Sequence, residues 1–202
     1  MQATRSELII IAALLLIALA LRCYRLDTPS FTWDEITDRE IAFGYLARGD
    51  LTEADREPSQ ARLPIYLEAL TIKLWGGSEV ALRSISVAAG LLSLLLIWRI
   101  GRRAFDPIVG TVSLGVAAIN PFHLLISRLS GTHGGAVVAL FWALALSILV
   151  AFWDGWQDRS FETLARQDRW RLLLFGAVAG IATGAKLTGA LLLVNLLPIV
   201  VV

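Results

Sequence analysis

Disulfide and metal chemistry have little to draw on in this sequence. It holds one cysteine, Cys23, and two histidines among 202 residues. No internal disulfide can form, and no close ligand spacing supports a divalent metal. Neither sign of charge dominates: 18 Lys and Arg stand against 17 Asp and Glu, which removes the basic surface that nucleic-acid binding needs. No stretch reads as a soluble domain of its own. The first long apolar run, 8–21, has no charge and no proline. It is followed by Arg22 and Arg25 rather than by a small-x-small cleavage site, so it reads as an uncleaved anchor and not as a signal peptide. At the end of that run Cys23 reads as a packing residue.

What is abundant is apolar surface. Hydrophobic residues make up 56% of the chain and mean hydropathy is +0.68, far from a soluble domain. Five stretches, 6–26, 80–98, 107–126, 134–153 and 170–202, approach the ~20 residues of a spanning helix. The last has room for one tilted helix and a turn, or for two short helices broken near Gly184–Gly189. The fold class that follows is all-α: a polytopic integral membrane helix bundle of about five or six transmembrane helices, forming a single transmembrane domain over 1–202.

The short basic segment Trp98–Arg103 belongs in the cytoplasm by the positive-inside rule. The N-terminus is then cytoplasmic and 27–79 is an extracytoplasmic loop, with over half of the acidic residues. Two juxtamembrane helices are expected there. Residues 34–48 set Ile36, Ile41, Phe43, Tyr45 and Leu46 among charges, up to a break at Arg48-Gly49-Asp50. Residues 64–75 open at Pro64 and are too short to span, with Tyr66 and Trp75 expected at headgroup level and Gly76-Gly77 as the stop. Ser78 then caps the next spanning helix. Just past the first apolar run stands Trp33-Asp34-Glu35. Two adjacent carboxylates at a membrane surface have the makings of an active site, because they are costly near lipid unless employed or paired. A solvated loop is the competing reading.

In this order the features resemble the GT-C glycosyltransferases, nearest to the protein O-mannosyltransferases and lipid A aminoarabinose transferases. The resemblance rests on one transmembrane helix, Asp34-Glu35, two juxtamembrane helices, and a helix reading Ala81-Leu82-Arg83-Ser84-Ile85-Ser86. Also matching are Gly101-Arg102-Arg103-Ala104-Phe105, Asn120-Pro121-Phe122-His123 with Ser127-Arg128, and the Gly-rich Gly176–Leu191 with Lys186. It covers nearly the whole chain. It implies transfer of a sugar from a polyprenyl-phosphate donor to a protein hydroxyl or a lipid or glycan acceptor on the outer face, by an inverting reaction. A hydroxyl needs a base, and the phosphate leaving group needs fixed cations. By resemblance Asp34 is the base and Glu35 orients it or contacts the acceptor; if the active pair is Glu35 and Asp38, the base shifts.

Arg62, just before Pro64, Lys186 and Arg128 are the candidate cations for the lipid phosphate. Arg62 and Lys186 can equally be side chains reaching for the interface. Asp38 and His133 are candidates on the acceptor side. Two departures leave the acceptor open. No carboxylate follows the Ser-Arg pair in Leu129–Gly134, and the family's His-Pro-Pro is reduced to Arg62-Leu63-Pro64. The family's usual length and the apolar end at 197–202 make this the expected N-terminal portion of a longer module. The expected setting is a multi-pass membrane protein, of the plasma membrane if prokaryotic, with the sugar lipid and membrane lipids as partners and no cofactor beyond the donor. The alternative is a non-catalytic membrane subunit that binds a polyprenyl lipid.

Overall fold

The computed structural model describes residues 4–49, 62–131, 135–156 and 166–186, and its elements there are all helical. In chain order they are α1 (Arg5–Cys23), α2 (Trp33–Arg48), α3 (Arg62–Trp75), α4 (Glu79–Ala104), α5 (Pro107–Ile119), α6 (Pro121–Ile126), α7 (Ala136–Trp156) and α8 (Arg166–Ala185). Polar caps start many of them. The side chains of Thr4, Thr32, Ser78, Asp106 and Asn120 each accept an amide of the first turn of α1, α2, α4, α5 and α6, relieving donors that a helix leaves unsatisfied.

Three helices are long and apolar enough to cross a membrane: Arg5–Cys23, Glu79–Ala104 and Ala136–Trp153. The other two apolar stretches do not form such a helix within the described residues, for two local causes. Residues 107–126 do not run as one helix. Asn120 is extended, with ψ 123°, because Pro121 lacks an amide hydrogen and excludes the helical conformation from the residue before it. This leaves α5 at 13 residues, about 20 Å long. The stretch 170–202 yields α8, whose first turns carry Asp168, Arg169 and Arg171; residues 187–202 lie outside the described residues. The two short helices expected at 34–48 and 64–75 are present as α2 and α3, the second beginning two residues before Pro64. Cys23 does end α1, but it is exposed, not packed.

The long α4 is the axis of the bundle. It packs on α5 along one side and α7 along the other, while α1 lies against α4 and α5 and α8 against α7. Ile11, Ala18, Leu94, Leu114 and Ala118 bury the contact of α1, α4 and α5. The α4–α5 approach is close enough to require glycine: a Cβ on Gly110 would stand 2.7 Å from the Trp98 carbonyl oxygen and 2.8 Å from the Arg102 nitrogen. Small residues at such a crossing let helices meet where lipid offers no hydrophobic drive. The pair α2–α3 joins this frame where α3 packs on α4 and α8.

Candidate functional site

The buried stripe of α2 is Glu35, Asp38, Ile41 and Ala42; that of α3 includes Ile65, Glu68 and Ala69. Both follow the helical period, and both place acids in line with the apolar residues. Ile41, Ala42, Ile65 and Ala69 form a shared core, flanked by the edge-on pair Tyr45–Tyr66 with ring centroids 5.2 Å apart. Docking these stripes draws the acids inward toward α4 and the Ser130–Gly131 turn.

Glu35 is the fixed point. Its side chain closes a capping box with Thr32: the Thr32 amide donates to Oε2 at 2.9 Å, and the Glu35 amide to Thr32 Oγ1 at 3.3 Å. Arg83 of α4 grips the same carboxylate with two bonds, Nε to Oε1 at 2.9 Å and Nη2 to Oε2 at 3.0 Å. The Ser130 amide adds a fourth donor at 2.9 Å. Both partners are only 1% exposed. Burial pushes the Glu35 pKa up, but the Arg83 guanidinium and the Ser130 and Thr32 amides outweigh it and hold the group below the usual carboxylate range. Arg83 is equally engaged. Its Nη1 donates to the Leu26 and Pro29 carbonyls, each at 2.9 Å, and Nη2 also to Ser30 at 3.4 Å, so all five donors of the guanidinium are used. Phe31 lies against its face, 5.3 Å away.

One residue earlier, about 100° around the helix, Asp34 is half-buried. The adjacent carboxylates therefore do different things: one is clamped inside and the other stands at the surface of the cluster. Asp38, a turn further on, is 0% exposed. Gly131 covers it at φ +73°, and any Cβ there would collide with Asp38 Oδ2, so this turn admits glycine alone.

Across from Asp38 stands Glu68, 2% exposed. Burial, then the Asp38 and Glu35 charges, raise its pKa to about 8 against a partial offset from the Ser130 hydroxyl. Glu68 thus keeps its proton when folded near neutral pH but loses it in the unfolded chain above pH ~4.5. Its contribution to stability is full below that value and is lost as pH rises through about 8. Thermal melting of the detergent-solubilised protein is expected to weaken from pH 5 to pH 9. Glu68→Gln, neutral throughout, should remove most of that slope; an unchanged slope would show that Glu68 is ionised in the fold.

The cluster borders a cavity of about 400 Å³, lined by Leu26, Pro29, Thr32 and Arg83 on one side and by Leu124 and Arg128 on the other. Its walls are chiefly apolar with two guanidiniums set in them. Arg128 is half-exposed, and its Nη2 donates to the Tyr24 carbonyl at 2.7 Å. Neither Arg62 nor Lys186 lines this cavity. Arg62 is exposed at the first residue of α3, and Lys186 is half-buried just past α8. His133 lies outside the described residues. Among the described residues, no three His, Cys, Asp or Glu side chains converge to hold a metal ion.

Sequence reasoning passed over three site residues. Arg83 was legible as an arginine inside a spanning helix. Glu68 was legible as an acid in the apolar stripe of α3, with Ile72 and not a base four residues on. The third is the other histidine. His123 Nδ1 lies 2.9 Å from Nη2 of Arg22, which also donates to the Ala18 and Ala118 carbonyls at 3.0 and 3.2 Å. Arginine only donates, so Nδ1 accepts and the ring carries its proton on Nε2. This contact ties α1 to α6.

No curated protein and no solved structure matches the chain. A family description, dolichyl-phosphate-mannose-protein mannosyltransferase, matches residues 59–202, more than two-thirds of the sequence. The match takes in Glu68, Arg83, Arg128 and Lys186 and begins after α2, so Asp34, Glu35 and Asp38 precede it. With three helices fit to cross a membrane, the chain is an integral membrane protein that belongs to the dolichyl-phosphate-mannose-protein mannosyltransferase family, a group of GT-C glycosyltransferases.

Proposed function

We propose that this protein transfers a sugar from a polyprenyl-phosphate donor to a hydroxyl of a protein, lipid or glycan acceptor at the extracytoplasmic face, with Asp34 as the base. The observation that carries the reading is the division of labour at the start of α2. Glu35 is wholly engaged, and the same start of α2 carries half-buried Asp34 two residues after Thr32, which lines a cavity that combines apolar walls with two arginines. That combination suits a lipid with a phosphate head.

In the reaction Asp34 accepts the acceptor's hydroxyl proton as the oxygen attacks the anomeric carbon. The bond from that carbon to the phosphate oxygen breaks, and the phosphate leaves with the electron pair. Developing charge on the phosphate requires preset cations. Arg83 spends its donors on Glu35 and three carbonyls, so it acts through its field, and Arg128 is the cation left to touch the phosphate. Arg62 and Lys186 serve the donor only at a distance from this cavity. Buried Asp38 acts through α2, not by contact with the acceptor.

The test is transfer of label from a mannosyl polyprenyl phosphate by the full chain in its own membrane, with product stereochemistry opposite to that of the donor. Arg128→Gln is expected to raise the donor KM by about tenfold or more, the worth of a charged hydrogen bond of ~1.5–3 kcal/mol, with a smaller change in kcat. An unchanged KM would place the phosphate elsewhere. Donor binding without transfer to any hydroxyl acceptor would turn the reading to a lipid-binding subunit.

A further inference from the structure

The short helix α6 turns two faces to two different neighbours. Pro121, Leu124 and Leu125 line the 400 Å³ cavity, together with Arg128 just beyond the helix. His123 and Ser127, one turn apart on the other side, meet the end of α1. There His123 Nδ1 accepts from Arg22, and Ser127 Oγ lies 3.4 Å from the same nitrogen while donating to the His123 carbonyl at 2.6 Å. Gly90 of α4 closes the contact. A Cβ there would stand 2.7 Å from Ser127 Cβ and 3.4 Å from Arg22 Nε, so glycine lets α4 come this near.

Arg22 is 0% exposed, and its acceptors explain how a cation stays there. The Ala18 and Ala118 carbonyls lie near the C-terminal ends of α1 and α5, where helices are negative. The other acceptor is the bare nitrogen of a neutral ring. His123 can fill that place only while neutral, because an imidazolium carries hydrogen on both nitrogens. Protonation would turn a donor and a second positive charge toward the guanidinium. The groups around the ring offer nothing to hold that charge. α5 has no titratable side chain, Arg83 of α4 is bound to Glu35, and Arg128 bonds the Tyr24 carbonyl. Burial, then the Arg22 charge, push the His123 pKa below the ordinary 6.5; α6 lies outside the three spanning helices. The contact therefore holds at neutral pH and is lost as pH falls through that lowered value.

We propose that His123 is a positioning residue for donor binding: as a neutral acceptor of Arg22 it fixes α6 against α1, and its protonation loosens the Arg128 wall of the cavity. The donor's place in that cavity rests on the sugar-transfer reading; the tie between α1 and α6 does not. A second contact, from Arg128 to the Tyr24 carbonyl, reaches the same end of α1 from the other face of α6. Release of the first leaves the second, so the donor is held more weakly but the cavity persists.

Measurements on the full chain in detergent test this. Imidazole nitrogen NMR, assigned by the signals lost in His123→Asn, is expected to show the Nε2–H ring and a midpoint below 6.5. An Nδ1–H ring or a higher midpoint would overturn the proposal. The Kd for a mannosyl polyprenyl phosphate is expected to rise about tenfold from about pH 7.5 to about pH 5, the worth of a hydrogen bond to a charged group. In His123→Asn, whose Oδ1 takes the place of Nδ1 and does not titrate, that rise should vanish. His123→Phe keeps a ring without the acceptor and should bind at pH 7.5 as weakly as the native chain does at pH 5. An equal rise in the asparagine variant would overturn the proposal, and this arm carries the test if the phenylalanine variant does not fold. Hydrogen exchange over 121–128 separates the two readings. It should quicken in acid in the native chain and not in His123→Asn; equal behaviour overturns the tie. A donor that binds at no pH removes the sugar-transfer reading, and the positioning role with it, while exchange still decides the tie.

Discussion

Asp34→Asn is expected to lower kcat for sugar transfer by about 10²–10⁴-fold, the usual worth of a positioned base. The donor KM and the melting temperature should hardly move. Asparagine keeps the size of the side chain and stays at the helix start, where it is well tolerated near the N-terminus. The clamp on Glu35 is untouched, because none of its four donors comes from Asp34. What is lost is the capacity to take a proton from the attacking hydroxyl. Single-turnover transfer with saturating donor isolates this step. Activity retained within a few-fold would remove Asp34 from the chemistry and return attention to Asp38, one turn along the same helix.

The largest expected effect on stability lies at Arg83. Removing one member of a buried ion pair strands the other without solvent or partner, at a cost of about 3–5 kcal/mol. Arg83→Gln strands Glu35 and also releases the carbonyls of Leu26, Pro29 and Ser30 from the donors they share. Glu35→Gln is expected to be milder, since the amide can still bond the guanidinium while losing the charge. The double variant should cost clearly less than the sum of the two, because the residues act as one unit. Denaturant unfolding in detergent gives all three values. Strict additivity would mean that the pair contributes no coupling and that α2 is held by its apolar stripe alone.

Much of the fold could be read from local rules. The caps at Ser78 and the stops at Gly49 and Gly76 are short-range chemistry, and α2 and α3 fell where periodicity placed them. The break at Asn120-Pro121 was legible in principle from the proline, yet the apolar run on both sides of it argued for continuity. The site was harder. Nothing in the order of residues says that Glu35 faces inward and Asp34 does not; that depends on which face of α2 meets α4. The partners of Glu35 lie 48 and 95 positions away, beyond the reach of any local pattern. Glu68 is one acid in a mostly apolar helix, and it becomes the protonated partner facing Asp38 only once two amphipathic faces dock. The pairing of Arg22 with His123 joins positions 101 apart and left no mark in either neighbourhood.

The grip on Glu35 also sets an order of events during synthesis. Every acceptor of the Arg83 guanidinium, from Leu26 to Glu35, precedes it in the chain. When α4 emerges from the ribosome its arginine meets carbonyls and a carboxylate already made, so it need not wait bare at the edge of the bilayer. The last donor, the Ser130 amide, follows Arg83 by about 2–10 s at translation rates of ~5–20 residues per second. In that interval the segment from Leu26 to Glu35 is tethered to α4 but not yet latched to the turn after α6. A ribosome stalled there would hold a nascent chain in which α2 is already tied to α4 while its acidic cluster still lacks the cover of the Ser130–Gly131 turn.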